Sequence, residues 1–297
     1  MDKLMRGIVP ALCTPFDQGG ELAVDRVPAL VRALLDAPVA GFFVCGSTGE
    51  GKAMTLPERK QMGETAVWEV GGAVPVILHV GGTSTENAVA LARHAASIGA
   101  DATASVAPID APNNLAAAVE HYAAIGAATD LPFYVYWLAD AADPSATAGQ
   151  FLEAMEPVEN FAGFKFTDTN FYLFQQLVDG SGGTLNALTG PDEMCVAGMV
   201  MGSDGAIGTT YNVIPRLIVG MYDAFHRGDI RGAMAAQVKA NRLISLLMRV
   251  GVLAGVKAML GWQGIPVGEP RPPTPRLSPE GLDELRHTLD TFDFEVA

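Results

Sequence analysis

The stretch Gly163-Phe164-Lys165-Phe166-Thr167-Asp168 reads as a buried strand with a lysine in its middle. Side chains alternate faces along a strand, so Phe164 and Phe166 point one way and Lys165 and Thr167 the other. A buried ammonium is costly to desolvate, and the neutral amine favoured there is a nucleophile. A lysine that forms a Schiff base with a carbonyl substrate needs that property. The same stretch also fits a lysine near a strand end that reaches back to water. In a second strand-like run Tyr134 and Tyr136 share a face, opposite Phe133, Val135 and Trp137. If Tyr136 faces the same interior as Lys165, its phenol could move protons during imine formation and carbon–carbon cleavage. An ordinary core tyrosine with a satisfied hydroxyl fits as well.

Three further groups carry chemical potential. The run Gly46-Ser47-Thr48-Gly49-Glu50-Gly51 follows an apolar segment. Backbone N–H groups of such a turn can cradle a carboxylate, with the Ser47 and Thr48 hydroxyls as further donors; a plain strand-to-helix turn is the alternative. With Lys52 the run matches G-x-x-x-x-G-K, but Ala53 stands where a phosphate-binding loop needs Ser or Thr for magnesium, so nucleotide binding is not expected. Asp192 and Glu193, after Gly190, could hold substrate hydroxyls or serve as first-turn carboxylates of the next helix. The run Gly205-Ala206-Ile207-Gly208-Thr209-Thr210 ends in two hydroxyls. His79 and Cys45 sit in apolar strands and read as core residues.

These residues share a position: each falls at or just after a short β-rich run. The strand candidates are Gly7–Cys13, Gly41–Cys45, Pro75–Val80, Asp101–Val106, Phe133–Trp137, Phe161–Phe166, Leu185–Leu188 and Gly205–Gly208. Helical patterns separate them: Val24–Leu35, Leu56–Val70, Thr85–Ile98, Leu115–Ala128, Thr147–Met155, Phe171–Val178 and Pro191–Met201. Strands alternating with helices predict a parallel sheet, and eight repeats predict a (β/α)8 TIM barrel, whose active site lies at the C-terminal strand ends. An open doubly wound sheet would need a G-x-G-x-x-G fingerprint near the start, and none is there. After about residue 213 the pattern becomes helical: Pro215–Arg227, Ile230–Val250 and Val252–Leu260. A proline-rich connection over Gly264–Pro279 then leads to a final helix opened by Ser278, Pro279 and Glu280. Residues 1–213 are therefore read as the barrel, and 214–297 as C-terminal helices that complete and extend it.

The 297 residues carry a net charge of −14 with no basic run, which argues against a nucleic-acid partner. No run of 18 apolar residues survives the glycines between Met194 and Val213, and no signal-peptide pattern opens the chain, so no membrane association is expected. Three dispersed cysteines without a C-x-x-C fit a reduced, cytoplasmic protein. The five histidines are equally scattered, and no metal or other cofactor is expected.

In combination these residues resemble the pyruvate-dependent class I aldolase family that contains N-acetylneuraminate lyase and dihydrodipicolinate synthase. The likeness runs over nearly the whole chain. It is carried by Gly46-Ser47-Thr48-Gly49-Glu50, Tyr136, Gly163–Thr167, Gly190-Pro191-Asp192-Glu193 and Gly205–Asn212. The resemblance implies that Lys165 forms the Schiff base with the keto carbon and Tyr136 relays the proton. It also implies that Ser47 and Thr48 hold the pyruvyl carboxylate, and that Thr167, Gly190, Asp192, Glu193, Gly208 and Thr209 complete the substrate site. The serine at position 47, Lys-x-Thr in strand six and Gly-x-Asp-Glu after strand seven match the lyase branch. There the acidic pair binds the sugar's polyol tail. The synthase branch carries an arginine soon after the strand-five tyrosine, where this chain has Trp137-Leu138-Ala139-Asp140. Two more departures stand out: Ala139 replaces a usual proline, and Ala107–Pro112, with Asp110, lacks the aromatic pair that reaches a neighbouring subunit's site. The implied activity is cleavage of a 2-keto-3-deoxy sugar acid, N-acetylneuraminate first, to pyruvate and an acylated aminosugar, without cofactor and by a homotetramer. Another pyruvate aldolase or hydratase of the family, or a keto-acid sensor on the same barrel, are the alternatives.

Overall fold

A computed structural model describes residues 3–82, 84–138, 146–292 and 294 of the chain. Eight strands appear where eight β-rich runs were read: β1 (Gly7–Pro10), β2 (Phe42–Val44), β3 (Val76–His79), β4 (Ala102–Ser105), β5 (Phe133–Leu138), β6 (Phe161–Thr167), β7 (Asn186–Thr189) and β8 (Gly205–Gly208). All neighbours pair in parallel, in the order β1-β8-β7-β6-β5-β4-β3-β2. The ring closes between β1 and β2 through a parallel bridge from Ala11 to Phe43 and a 2.9 Å bond from Leu12 N–H to the Phe43 carbonyl. This is the (β/α)8 barrel that the alternation predicted.

The first four strands are shorter than the apolar runs that announced them, and β7 is shifted, for local reasons. β1 stops at Pro10: Ala11 N–H still reaches the Gly208 carbonyl of β8, and the donors after it turn aside. Leu12 N–H serves the closure, and Cys13 N–H goes to Asn212 Oδ1 at 3.2 Å. β7 is set one residue later than Leu185–Leu188 because its register locks Asn186 to Gly163 and Thr189 to Phe166. Asn186 also seals the barrel floor. Its Oδ1 accepts from Met5 N–H and from the Tyr134 hydroxyl, both at 2.9 Å, and its Nδ2 donates to the Met5 carbonyl.

The barrel helices are α1 (Val27–Leu35), α2 (Leu56–Val70), α3 (Thr85–Ser97), α4 (Leu115–Gly126), α5 (Ala148–Ala154), α6 (Phe171–Gly180), α7 (Cys195–Val200) and α8 (Pro215–His226). Their starts follow from capping chemistry. Thr55 and Thr147 form capping boxes with Glu58 and Gln150, and Ser84, Asn114 and Asn170 each accept a first-turn N–H. Two predicted helices open instead as 3-10 turns, Val24–Arg26 before α1 and Asp192–Met194 before α7. In the second, the Asp192 and Glu193 carbonyls accept from Gln237 and Asn241, side chains of a later helix, which holds the turn open.

Beyond α8 come α9 (Ile230–Val250), α10 (Val252–Trp262) and α11 (Pro279–Leu289). Gly251, at φ 120°, bends α9 against α10 by 113°. Among the described residues no single helix is long and apolar enough to cross a membrane. Packing follows the alternation of the strands. Val9, Phe43, Ile77, Ala104, Leu188 and Ile207 fill the barrel interior. Phe164 and Phe166 point outwards and pack on Phe174 of α6. Nearer the C-terminal rim, Tyr136 of β5 and Lys165 and Thr167 of β6 take interior positions.

Candidate active site

Lys165 is the centre of that rim. It is 5% exposed and lies on the interior face of β6, in direct register with Tyr136 of β5. The rings nearest its ammonium are not its sequence neighbours Phe164 and Phe166, which face the helices. They are Tyr136, at 4.2 Å to the ring centroid, and Phe43 of β2, at 4.7 Å. The aromatic surroundings of the amine are supplied by the neighbouring strand and across the barrel. Burial raises the Tyr136 phenol, while the charge of Lys165 and the Ser47 hydroxyl lower it; the lowering prevails and holds its pKa below the ordinary tyrosine value. A phenol so placed can exchange a proton with a group bound at Lys165.

The Gly46–Gly51 turn delivers hydroxyls to the same place. Ser47 Oγ stands 3.4 Å from the Tyr136 hydroxyl, and Thr48 Oγ1 is 2.6 Å from Thr209 Oγ1. The turn, β5 and the end of β8 thus converge beside Lys165. Thr167, one position further along the same face of β6, has a buried Oγ1 that makes no well-formed hydrogen bond and acts, with Ser47, to lower the Tyr136 phenol. A buried hydroxyl so weakly engaged beside a nucleophile is available to a substrate.

A cavity of about 350 Å3 opens above this cluster. Thr167, Gly190, Asp192, Glu193 and Thr209 form its polar side, and Ile244, Met248 and Val252 its apolar side. Lys165, Tyr136, Ser47 and Thr48 do not line it. The cavity adjoins them through Thr167, on the same face of β6 as Lys165, and through Thr209, which is bonded to Thr48. Asp192 Oδ2 accepts both the Thr210 N–H (2.7 Å) and the Thr210 hydroxyl (2.6 Å). Its other oxygen lies over Gly208, where a Cβ would stand 2.3 Å away, so only glycine lets the carboxylate settle there. Burial raises the Asp192 carboxyl to about 6, against the lowering effect of the two Thr210 bonds. Asp192 stands in the 3-10 turn that precedes α7, but its carboxylate is bonded to Thr210 and not to a first-turn N–H, and the residue lines the cavity. Glu193 is half-buried on the cavity wall.

His79 is buried as expected, but it belongs to the site's surroundings rather than to a distant core. Its ring meets Tyr136 edge-on at 5.7 Å and lies 5.9 Å from Phe43. Burial, then the charges of Arg59 and Lys165, hold its pKa well below the ordinary value, so the imidazole is neutral. Nε2 accepts from Val106 N–H at 3.3 Å, which leaves the proton on Nδ1. Lys257 and Arg271 escaped the sequence reading, and Asn212 entered it only as the end of the Gly205–Asn212 motif. Lys257 of α10 pairs with Glu50 of the glycine turn, and the Arg271 backbone donates to the same carboxylate. Asn212 ties β1 to the end of β8. The proline-rich run around 271 was a usable signal for a fixed strap; a lone lysine in an apolar helix was not. Among the described residues no three His, Cys, Asp or Glu side chains converge as a metal site. Ile109 and Asp110 are exposed in the single chain, and the departures at Ala139 and Asp140 lie outside the described residues.

The model of the dihydrodipicolinate synthetase family matches residues 4–292. A curated relative, an uncharacterized DapA-like lyase of Halobacterium salinarum, is 37% identical over 284 residues, covering 94% of this chain and 90% of its own. The N-acetylneuraminate lyase of Rhizobium meliloti is 33% identical over 288 residues, covering 96% and 94%. Among solved structures, the N-acetylneuraminate lyase (sialic acid aldolase) of Aliivibrio salmonicida superposes with a TM-score of 0.93 at 28% identity, covering 99% of each chain.

Proposed function

The chain belongs to the dihydrodipicolinate synthetase family and is a lyase, and on that premise we propose that it cleaves a 2-keto-3-deoxy sugar acid, N-acetylneuraminate first, through a Schiff base on Lys165. The observation that carries the reading is the register pair of Lys165 and Tyr136 on adjacent strands, with Ser47 beside the phenol. Lys165 Nζ attacks the keto carbon, and loss of water gives an iminium. The iminium withdraws electrons as the C4 hydroxyl loses its proton and the C3–C4 bond breaks. The aldehyde leaves, the enamine takes a proton at C3, and hydrolysis returns pyruvate and the free amine. Tyr136, with its lowered pKa, carries the proton between these positions. Ser47 and Thr48, with the turn's N–H groups, hold the carboxylate. Thr167, Gly190, Asp192, Glu193, Gly208 and Thr209 receive the remainder of the substrate.

Similarity to N-acetylneuraminate lyases supports the polyol substrate, as does the polar side of the cavity. A second reading, a different aldehyde partner in the same reaction, is favoured by the apolar side made by Ile244, Met248 and Val252. The homotetramer belongs to the same proposal and is supported by the exposed apolar spacing of Ile230, Met234 and Val238 on α9. Incubation with N-acetylneuraminate, with released pyruvate and N-acetylmannosamine quantified, tests the substrate. Stoichiometric release is expected. No release from an enzyme that still forms a pyruvate adduct would select the second reading.

A further inference from the structure

We propose that the C-terminal tail positions the keto-acid cradle: the buried ion pair between Lys257 and Glu50 holds Glu50 in a left-handed backbone conformation and so fixes Ser47 and Thr48 beside Tyr136 and Thr209. The proposal rests on the reading of Ser47 and Thr48 as the carboxylate cradle.

The turn is strained at both ends. Cys45 has φ 60° and Glu50 φ 52°, and neither is glycine. L-residues avoid this region, and they persist in it only where the surroundings over-determine it. Within the turn only two backbone bonds close the loop, Glu50 N–H to the Ser47 carbonyl at 3.1 Å and Gly51 N–H to the Gly46 carbonyl at 3.0 Å. The rest of the restraint comes from outside. Thr14 Oγ1 donates to the Gly49 carbonyl at 2.6 Å. Glu50 Oε1 pairs with Lys257, and Oε2 accepts the Arg271 N–H at 2.7 Å.

The pair is shut off from water, with side-chain exposures of 0% for Lys257 and 2% for Glu50. Its setting is built from three separate segments. The Lys257 ammonium lies 4.5 Å from the Phe16 ring centroid and donates to the Glu269 carbonyl at 3.3 Å. The Arg271 guanidinium lies 4.2 Å from the same ring and forks onto Glu58 at 2.7 and 3.1 Å, with further bonds to the Gly20 and Ala53 carbonyls. A buried ion pair is a poor way to gain stability, because desolvation offsets the attraction, but it can specify one conformation among several. Here the specified element is the turn that carries Ser47 and Thr48. Both side chains are turned towards each other and closed to solvent, so they act through the turn.

The test uses the full chain and pyruvate, with borohydride reduction of the imine as readout. The variant is Glu50→Gln/Lys257→Met, which removes both charges and leaves neither one buried alone. It is expected to melt cooperatively. Its half-saturating pyruvate concentration is expected to rise about tenfold, while the limiting trapping rate stays near wild type, since loosening one hydrogen bond to the bound carboxylate weakens binding on that scale. Glu50→Asp, which keeps both charges but shortens the arm that reaches Lys257 and the Arg271 N–H, serves if the double variant does not fold, and is expected to shift the same concentration upwards. A folded variant with wild-type half-saturation would overturn the proposal. Ser47→Ala and Thr48→Ala separate this from failure of the underlying reading. If they raise half-saturation and the Glu50 variants do not, the positioning role fails alone. If the Glu50 variants raise it and the hydroxyl variants do not, the turn is positioned but the cradle reading fails.

Discussion

Gly190→Ala probes the contact between the ends of β6 and β7. A Cβ there would stand 1.9 Å from Thr167 Oγ1, 2.9 Å from Thr167 Cβ and 3.0 Å from the Phe166 carbonyl. Relaxed contacts between carbon atoms lie at about 3.5–4.0 Å, so Thr167 must move by about 1 Å or more. It cannot escape by rotating its side chain, because its own Cβ is too close and threonine is stiff at χ1. The backbone resists as well, since Phe166 accepts Gly190 N–H at 2.7 Å and Thr167 is in register with Leu138. Overpacking of this kind costs about 1–3 kcal/mol. In a domain of this size each kcal/mol lowers the melting temperature by roughly 2–4 °C, so calorimetry is expected to record a fall of about 2–12 °C. Lys165 lies two residues before Thr167, and a 1 Å misplacement near the reacting atoms lowers rates by up to about 100-fold. Pyruvate-dependent borohydride trapping is therefore expected to slow by roughly ten- to a hundred-fold. Adding Thr167→Ala removes the worst overlap, and the double variant is expected to recover at least about 1 kcal/mol of the loss in a double-mutant cycle. If Gly190→Ala melts within about 1 °C of wild type and traps pyruvate at the same rate, the packing at this rim is not as described.

Three other outcomes follow from the site and its strap. Tyr136→Phe is expected to lower the trapping rate by about 10²–10⁴-fold with unchanged circular dichroism; unchanged rates would remove Tyr136 from the proton path. Asp192 is held at about 6 in the folded chain against an ordinary 3.8, so the native state binds more protons between these values, and stability is expected to fall as pH rises through that window. Urea titrations from pH 4 to 7 check this, and Asp192→Asn is expected to abolish that component. Glu58 is held at about 2 by its bond to Arg271, against an ordinary 4.5. Its contribution is fully present above 4.5 and is lost as pH falls towards 2. Arg271→Met is expected to flatten acid denaturation in that range, as followed by tryptophan fluorescence.

Strand order, barrel class and the positions of the polar rim were legible in the sequence because each is a short-range pattern. Period-two alternation put Lys165 and Tyr136 on one face each, and the (β/α)8 geometry required those faces to meet at the C-terminal end. The side chains that meet across the barrel were not legible. Phe43 approaches the ammonium from β2, and His79 reaches Tyr136 from β3, because closure sets their distances and local pattern does not. Glu50 was visible only as the end of a glycine motif. Its partner lies in α10 and the donor to its other oxygen in the strap, more than two hundred residues away, and no periodicity links them. The 3-10 turn at Asp192–Met194 was hidden for the same reason, since Gln237 and Asn241 of α9 hold it.

The most direct test of the chemistry is covalent. The protein is incubated with pyruvate, reduced with borohydride, digested and mapped by mass spectrometry, with Lys165→Arg as control. The expected result is a reduced pyruvate adduct on the peptide containing Lys165, absent from the control. An adduct on a different lysine, or none at any pyruvate concentration, would contradict the Schiff-base role assigned to Lys165.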